Sequence, residues 1–553
     1  MNPKILILFI SILSLLSCDV YRQSSIGINS HVSYNIFDDT RHDEIKAMKE
    51  LGINFVRIDW QGKNLPTNQD KSLRRFDESL AYLTKYGIDF VIVFPTMPNN
   101  NEEIQPFADL IEFIAKRYNG KTKIDVNGKQ YKPLAKYFQI GNEMHFQRRQ
   151  NPQVDNPNSL WKINKYGALA VRKARPDAIT IFGAIYNNSS CREYVDWMCS
   201  YKDNDGTSIR DLFDIVSLHL YKDDIVSLTK SFEEMKEMIK STPLADKPIW
   251  ITECGMNTYE YTEKQQSNYI TPSLLLMLSM GAEKCFWYTF RDFGGNLFSR
   301  EKTINNREDY FGIIKPSVIY PSVSFMRNDM TNRSISKGEA LNQVLVGFPW
   351  KTRNFVDMPL GIGSKAVIDN LKKTGLYVHV VDVAISKVVK QKRFESNTNS
   401  DDVLFTKKIK SISPSELRIE PSYFQNIKEG EIVRVYLDSI KNTSGKWSLD
   451  PKPAYYELRN VLSHFSEKCS NPVLISNDNG IYIWRWRDEK NLMVYALWSI
   501  SPQKVFIGRC DIKTFIYTSD GIKKKVPNNG IVDVSQSCIY VISPREISFS
   551  AMD

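Results

Sequence analysis

The chain has 553 residues, of which 42% are hydrophobic, 25% charged and 12% aromatic, a balance that excludes a disordered chain, a collagen-like repeat, a polytopic membrane protein and a disulfide-held miniprotein. At about 150 residues per domain this length allows three or four domains, or two if one is a large barrel. Lys+Arg 73 against Asp+Glu 63 leave a formal net charge of +10; with no dense basic helix, zinc-ligand spacing or aromatic RNA-binding motif, no nucleic acid partner is expected.

Residues 1–17 read as a leader. Lys4 precedes an apolar run that continues to Leu16, too short to span a bilayer but arranged like a secretory signal. Leu15-Leu16-Ser17-Cys18 resembles a bacterial lipobox, in which cleavage precedes the cysteine and the thiol is acylated. The mature chain is then expected to begin at Cys18 and to be lipid-anchored in the cell envelope, on the periplasmic or cell-surface side of a bacterial outer membrane, with no transmembrane helix. Plain secretion, with Cys18 incidental, is the alternative.

Beyond the leader a βα rhythm repeats. Glu50-Leu51-Gly52-Ile53, Lys85-Tyr86-Gly87-Ile88 and Ser279-Met280-Gly281-Ala282 each end an amphipathic helix on a glycine suited to a left-handed cap, and an apolar strand begins two or three residues later. Strands are expected at 26–31, 55–58, 88–94, 136–140, 178–184, 213–220, 248–252 and 285–287, with helices at 104–118, 160–175, 232–239 and 263–280 between them. Eight such units in roughly 300 residues predict a (β/α)8 TIM barrel, α/β in class, rather than an open doubly wound sheet. No glycine-rich phosphate loop follows any strand.

The barrel is placed at 22–330. From 331 to 553 helical periodicity is sparse, 391–402 is a polar loop, and short strands at 480–486, 491–500, 504–507, 514–517 and 538–542 read as a β-sandwich-like C-terminal accessory domain. Either 320–325 or a segment near 452–464 looks like the helix that closes the barrel; the later choice makes about 300–450 an insertion. Seven cysteines follow Cys18. Cys191/Cys199 and Cys254/Cys285 are the conceivable pairs, and buried free thiols are the expectation for most. Trp484, Trp486 and Trp498 are expected in the core rather than on a sugar platform.

Chemistry at the C-terminal mouth of such a barrel comes from polar residues that end apolar strands. The fourth strand ends Phe138-Gln139-Ile140-Gly141-Asn142-Glu143 and the seventh Pro248-Ile249-Trp250-Ile251-Thr252-Glu253. Two carboxylates facing one mouth can hydrolyse a glycosidic bond, one as acid and one as nucleophile. The same Asn-Glu dipeptide at Asn101-Glu102 has no strand before it, so position and not the dipeptide carries the reading.

On these residues the first 330 positions resemble the retaining glycoside hydrolases of clan A, and within that clan 214–221 is most similar to family 39 and its neighbours. The resemblance implies Glu143 as acid/base and Glu253 as nucleophile. It also assigns Arg57 at the end of strand two, His219 and Tyr221 as the His-x-Tyr of strand six, and Trp287 on strand eight to substrate binding. Asn142 is expected to donate to the sugar 2-hydroxyl, Arg57 and Tyr221 to support the ionised Glu253, and Trp287 to offer an apolar platform, with His31 and His219 as donors nearby. His145 and Trp60 are weaker candidates. Glu143 is expected to hold its proton through a raised pKa, and the carboxyl groups to lie about 5–5.5 Å apart.

The reading is thus a retaining glycosidase acting on a poly- or oligosaccharide by double displacement, with no cofactor and no metal. A non-catalytic surface glycan-binding lipoprotein and a transglycosylase using the same residues are the alternatives.

Overall fold

The computed structural model describes residues 25–34, 41–67, 69–292, 307–319, 353–359, 377–382, 403–408, 432–438, 446–519 and 521–552. The leader with Cys18, the alternative closing segment 320–325 and the polar loop 391–402 lie outside them. Among the described residues no helix is long and apolar enough to cross a membrane. The chain divides into two compact units, one formed by residues up to 256 with 264–289 and 453–553, the other by 257–263 and 290–452.

In the first unit, strands β1 (Ile26–Ser30), β2 (Phe55–Asp59), β3 (Asp89–Phe94), β4 (Tyr137–Ile140), β5 (Ile179–Tyr186), β6 (Ile215–His219), β7 (Ile249–Cys254) and β8 (Lys284–Trp287) pair in sequence order. All pairs are parallel, and β1 bonds to both β2 and β8, so the sheet closes into a barrel. Helices α1 (Arg41–Leu51), α2 (Lys71–Lys85), α3 (Ile104–Arg117), α4 (Pro157–Ala174), α5 (Ser189–Ser200), α6 (Ile225–Lys240) and α7 (Glu263–Ser279) occupy the successive connections.

The three expected glycine caps share one geometry. Gly52, Gly87 and Gly281 have φ of +102°, +63° and +102°, and the following amide reaches back across the last turn: Ile53 to Met48 O at 3.0 Å, Ile88 to Leu83 O at 2.9 Å, Ala282 to Met277 O at 3.0 Å. This six-to-one bond satisfies a carbonyl the helix leaves open and turns the chain into the next strand. A hairpin at Ile124–Val126 and Lys129–Tyr131, turning through Asn127 and Gly128 at φ 53° and 75°, was not in the sequence reading. Its Asn-Gly turn, short and flanked by charged residues, sits between α3 and β4.

Phe55, Val91, Ile181, Ile215, Trp250 and Phe286 cluster inside the barrel. The Lys284 ammonium lies 5.2 Å from the Phe55 ring centre and 5.4 Å from that of Trp250, an attraction between a cation and the negative ring faces. Gly27 leaves room for this plug, since a Cβ there would meet the Phe286 ring at 2.6 Å. The barrel floor is therefore filled.

Helix α8 (Pro453–His464) packs beside α1, with Leu462 Cβ 3.6 Å from the space a Cβ on Gly52 would take. The remaining chain forms a six-stranded antiparallel sheet, ordered Val473–Ser476, Ile481–Arg487, Met493–Ser499, Ile539–Ser543, Phe515–Tyr517, Lys523–Lys525, and a three-stranded one, Ile531–Val534, Gln503–Ile507, Phe549–Ala551. Tyr495, Leu497, Val505, Val532, Val534 and Val541 fill the space between them, which makes a β-sandwich. Trp484, Trp486 and Trp498 are buried; Trp486 Nε1 donates to His464 O at 2.8 Å and Trp498 Nε1 to Gln536 O at 2.8 Å. The seven cysteines from Cys191 to Cys538 are free.

The second unit carries an antiparallel pair, Ile314–Ile319 with Lys446–Pro451, and a four-stranded antiparallel sheet. Near its ends Lys452 Nζ donates to Asp292 Oδ1 at 2.7 Å and to Thr258 Oγ1 at 2.9 Å, and the Gly312 amide donates to the same Asp292 oxygen at 2.8 Å. Burial pushes Asp292 up to about 6 from the ordinary 3.8, against the pull of Lys452. Folding therefore takes up a proton in that window: the stability tied to Asp292 is present below about 3.8 and is lost as pH rises through about 6. Lys452→Met should cost ~3–5 kcal/mol near neutral pH by stranding a buried carboxylate, and less at lower pH where Asp292 is protonated. The double variant Asp292→Asn/Lys452→Met should recover most of the loss in denaturant melts, and an equally unstable double variant would count against the pair.

Candidate active site

The polar layer begins directly above the aromatic plug. Phe55 faces the barrel interior, so strand alternation turns Arg57 inward as well, and its guanidinium is only 2% exposed. A buried cation needs acceptors. Arg57 Nε donates to Gln139 Oε1 at 3.0 Å, Nη1 to Asn29 Oδ1 at 2.8 Å and Glu253 Oε1 at 2.7 Å, and Nη2 to Asn142 Oδ1 at 2.6 Å. Asn29 and Gln139 are held in turn by backbone, through Thr252 O at 2.9 Å and Gly141 O at 2.9 Å. Because Asn142 Oδ1 accepts from Arg57, its amide N–H groups remain as donors, and among the described residues no acceptor takes them.

Glu253 reaches the mouth through a break in β7. Leu218 pairs with Ile251 but His219 pairs with Glu253, and on the other side Cys285 pairs with Ile251 but Trp287 with Cys254. Both neighbours thus meet one extra residue in β7. Strict alternation from the inward Trp250 would send Glu253 outward; the bulge turns it in. Its Oε1 accepts from Arg57, and its Oε2 accepts from the Tyr221 hydroxyl at 2.7 Å. Burial and Glu253 itself push that hydroxyl well above the ordinary tyrosine range, so it remains a donor.

Glu143 sits on a sharp turn after β4. Gly141 has φ +77° and Glu143 itself is left-handed at φ 48°, ψ 45°, a conformation that costs a residue with a side chain roughly 1 kcal/mol or more. A Cβ on Gly141 would collide with Met144 Sδ. Gln147 pins the turn, donating to Pro95 O at 2.8 Å and to Asn142 O while accepting from the Met97 amide at 3.3 Å. By contrast Asn101 and Glu102 lie in an exposed turn before α3.

His219, wholly buried, joins the two acids. Its Nδ1 lies 2.7 Å from Glu143 Oε1 and 3.4 Å from Glu253 Oε2. One oxygen of each carboxylate and a nitrogen of His219 all fall within 4.8 Å of one another. These are metal-ligand types, but both Glu253 oxygens already accept hydrogen bonds, and the adjoining guanidinium would repel a second cation. Burial raises Glu143, yet the hydrogen bond and charge of His219 outweigh it, and the carboxyl lies below its ordinary value. The elevation expected from sequence is therefore not what the resting site has, because His219 binds the very oxygen that would carry the proton.

Of the other expected residues, His31 is at the mouth, its Nε2 3.3 Å from the Tyr288 hydroxyl and its Nδ1 3.9 Å from Asp59 Oδ2. Trp287 is not. Phe286 before it fills the barrel interior, so Trp287 alternates outward, wholly buried, its ring 6.4 Å from that of Tyr269 on α7. The aromatic at the mouth is Tyr288, 6.3 Å from the Tyr221 ring and 5.5 Å from His31. Trp60 packs on Phe76 at 5.1 Å, and His145 is buried against Phe146 at 4.2 Å. Asp59, missed in the sequence although it ends β2 two residues after Arg57, accepts from the Tyr34 hydroxyl at 3.1 Å. Burial raises its carboxyl, with Arg57 opposing and Glu253 adding to the rise.

Residues 18–290 match the family model described as cellulase (glycosyl hydrolase family 5). By this match the segment 18–290 is that of a glycoside hydrolase. A family 39 glycoside hydrolase from the gut symbiont Bacteroides cellulosilyticus WH2 is similar over 95% of this chain and 81% of its own, at 13% identity and a TM-score of 0.53. An exo-β-1,4-mannosidase from Opitutaceae bacterium strain TAV5 is similar over 53% of this chain and 56% of its own, at 16% identity and a TM-score of 0.40. At these identities the likeness is one of fold. No curated protein matches the chain. The family model and the more extensive fold likeness carry different family numbers.

Removing the imidazole should take away the largest influence lowering Glu143 and leave burial opposed by the weaker charges of His145 and Arg57. In His219→Phe, the Glu143 carboxyl should titrate higher than in the wild type by carbon NMR of labelled glutamate, with Glu143→Gln identifying the signal. An unmoved or lower titration would show that His219 does not set it.

Proposed function

We propose that this glycoside hydrolase cleaves a poly- or oligosaccharide by double displacement, with Glu253 as nucleophile and Glu143 as acid/base. The observation that carries the reading is the separation of the two acids. Oxygens within 4.8 Å favour direct attack on the anomeric carbon, for which carboxyls lie about 5–5.5 Å apart, over the interposed water of an inverting site at about 6.5–9.5 Å.

Glu253, accepting from Arg57 and Tyr221, presents a carboxylate rather than an acid to the sugar. Attack forms the glycosyl–Glu253 ester and breaks the bond to the leaving oxygen, which takes a proton from Glu143. Glu143 then deprotonates the water that opens the ester. His219, against Glu143 Oε1, positions this carboxyl. The free amide N–H of Asn142 is the donor for a sugar 2-hydroxyl, a bond that strengthens as positive charge develops at the ring. His31 and Tyr288 form the wall on the Asp59 side. The lipobox-like run ending at Cys18 supports attachment of this activity to a cell envelope.

Glu253→Gln, which keeps an acceptor for Arg57 but removes the charge, should abolish turnover in a protein that circular dichroism still shows folded. Glu143→Gln should lose roughly 10²–10⁴-fold on a natural glycoside and much less on an aryl glycoside whose leaving group needs no proton. Proton NMR of early product should show the retained anomer, and an inverted one would overturn the mechanism. Transfer of sugar to an added acceptor in place of free reducing sugar would favour a transglycosylase, whereas saturable glycan binding without product across a polysaccharide panel would favour a binding protein.

A further inference from the structure

The C-terminal sandwich has a cavity of about 520 Å³ at one end of its six-stranded sheet, between the last residues of α8 and the Asp488–Leu492 turn. Its size falls in the range of small-molecule sites, about 300–1,000 Å³. Phe515 and Tyr517 alternate onto the same face of their strand and line it, and the His464 ring stands beside them, 4.8 Å from Tyr517 and 4.9 Å from Tyr540. Burial lowers His464 to about 4, so near neutral pH it is an uncharged donor and acceptor. Among the described residues nothing hydrogen-bonds its ring nitrogens. The position of His464 is fixed through its carbonyl, which accepts from Trp486 Nε1 at 2.8 Å.

Charge at this cavity is asymmetric. Glu489 faces Lys468 at 3.8 Å, and Asp488 Oδ1 accepts the amides of Lys490 and Leu492 at 2.9 and 2.8 Å. Lys490, Lys513 and Lys523 also line the cavity, and among the described residues none of these three ammonium groups has a carboxylate within ion-pair distance. Lys523 Nζ lies over the Phe515 ring at 3.7 Å, which holds it over the aromatic floor. Aromatic side chains, a neutral imidazole and three ammonium groups without ion-pair partners, which outnumber the lining carboxylates of Asp488 and Glu489, together match a pyranose ring that bears a carboxylate. The edge-strand lysines also protect the sheet from pairing, but that role needs neither the cavity nor the aromatic floor.

We infer that this cavity is a second carbohydrate site, separate from the barrel mouth, that takes an anionic sugar unit of a polysaccharide. Binding here would hold the polymer on the protein without taking part in cleavage.

The test uses full-length protein carrying Glu253→Gln, so that polymer is not consumed, run in native gels containing sodium polygalacturonate, sodium alginate or neutral galactomannan. At least one of the two anionic polymers should retard the protein and galactomannan should not. The triple variant Lys490→Glu/Lys513→Glu/Lys523→Glu, altered only at exposed side chains, should lose at least tenfold in affinity. Tyr517→Ala, which changes no charge, should also weaken binding severalfold. A control with the same charge change at exposed sites outside the cavity, Lys129→Glu/Lys504→Glu/Lys524→Glu, should bind like its parent. No retardation by either anionic polymer, equal loss in the control, or undiminished binding by the cavity triple variant would overturn the proposal. With Glu253 intact, the cavity variants should hydrolyse small aryl glycosides at the parent rate. Absence of glycosidase activity in the protein with Glu253 intact, with polymer binding retained, would strike the catalytic reading alone.

Discussion

A guanidinium placed below the surface of a barrel must be answered by acceptors from several strands at once, and Arg57 imposes that demand on this protein. Removing such a charge from water costs several kcal/mol, and the compensation comes from Asn29 on β1, Gln139 on β4, Asn142 just beyond β4 and Glu253 on β7. The planar fork fixes directions as well as distances, which a lysine ammonium would not do. One side chain thereby sets the rotamer of a nucleophile candidate, the amide orientation of Asn142 and the relative height of three strand ends. The filled floor below, with its ring cluster around Lys284, keeps water from supplying any of these bonds from beneath.

Above that layer the two acids are distinguished by their partners rather than by depth alone. Glu253 receives hydrogen bonds from an arginine and a tyrosine, whereas Glu143 meets an imidazole that can itself hold a proton. In the proposed reaction the proton for the leaving group therefore belongs to the Glu143–His219 pair as a unit. A charge change at Glu253 on forming the ester would be felt by that pair across less than 5 Å.

The sequence spoke clearly where local chemistry and global fold agree. The glycine caps at Gly52, Gly87 and Gly281 are short-range devices, legible because only a left-handed residue closes that bond, and they paced the eight strands. Glu143 and Glu253 were legible because polar residues end apolar strands. Errors arose where a residue's direction depends on something alternation does not predict. Trp287 differs, since alternation itself turns it outward: the resemblance offers it as the strand-eight tryptophan, but the inward side of that strand belongs to Phe286, and Tyr288 faces the site. The β7 bulge is invisible in Ile249–Cys254, since its extra residue exists only relative to β6 and β8. The direction of Glu143's titration depends on a contact with a residue 76 positions away, which no local reading supplies.

Helix α8 has a consequence for how the barrel is made. Its neighbour α1 ends at Leu51, while α8 begins at Pro453, so the two helices that pack together are separated by about three quarters of the chain. During synthesis from the N-terminus all eight barrel strands exist long before the helix that covers the seam between the last and the first. Until then α1 has an uncovered apolar edge beside Gly52. Closure is a late, long-range event of high contact order and slow formation, and a chain shortened after β8 would keep both carboxylates yet lack the helix that seals the ring around them.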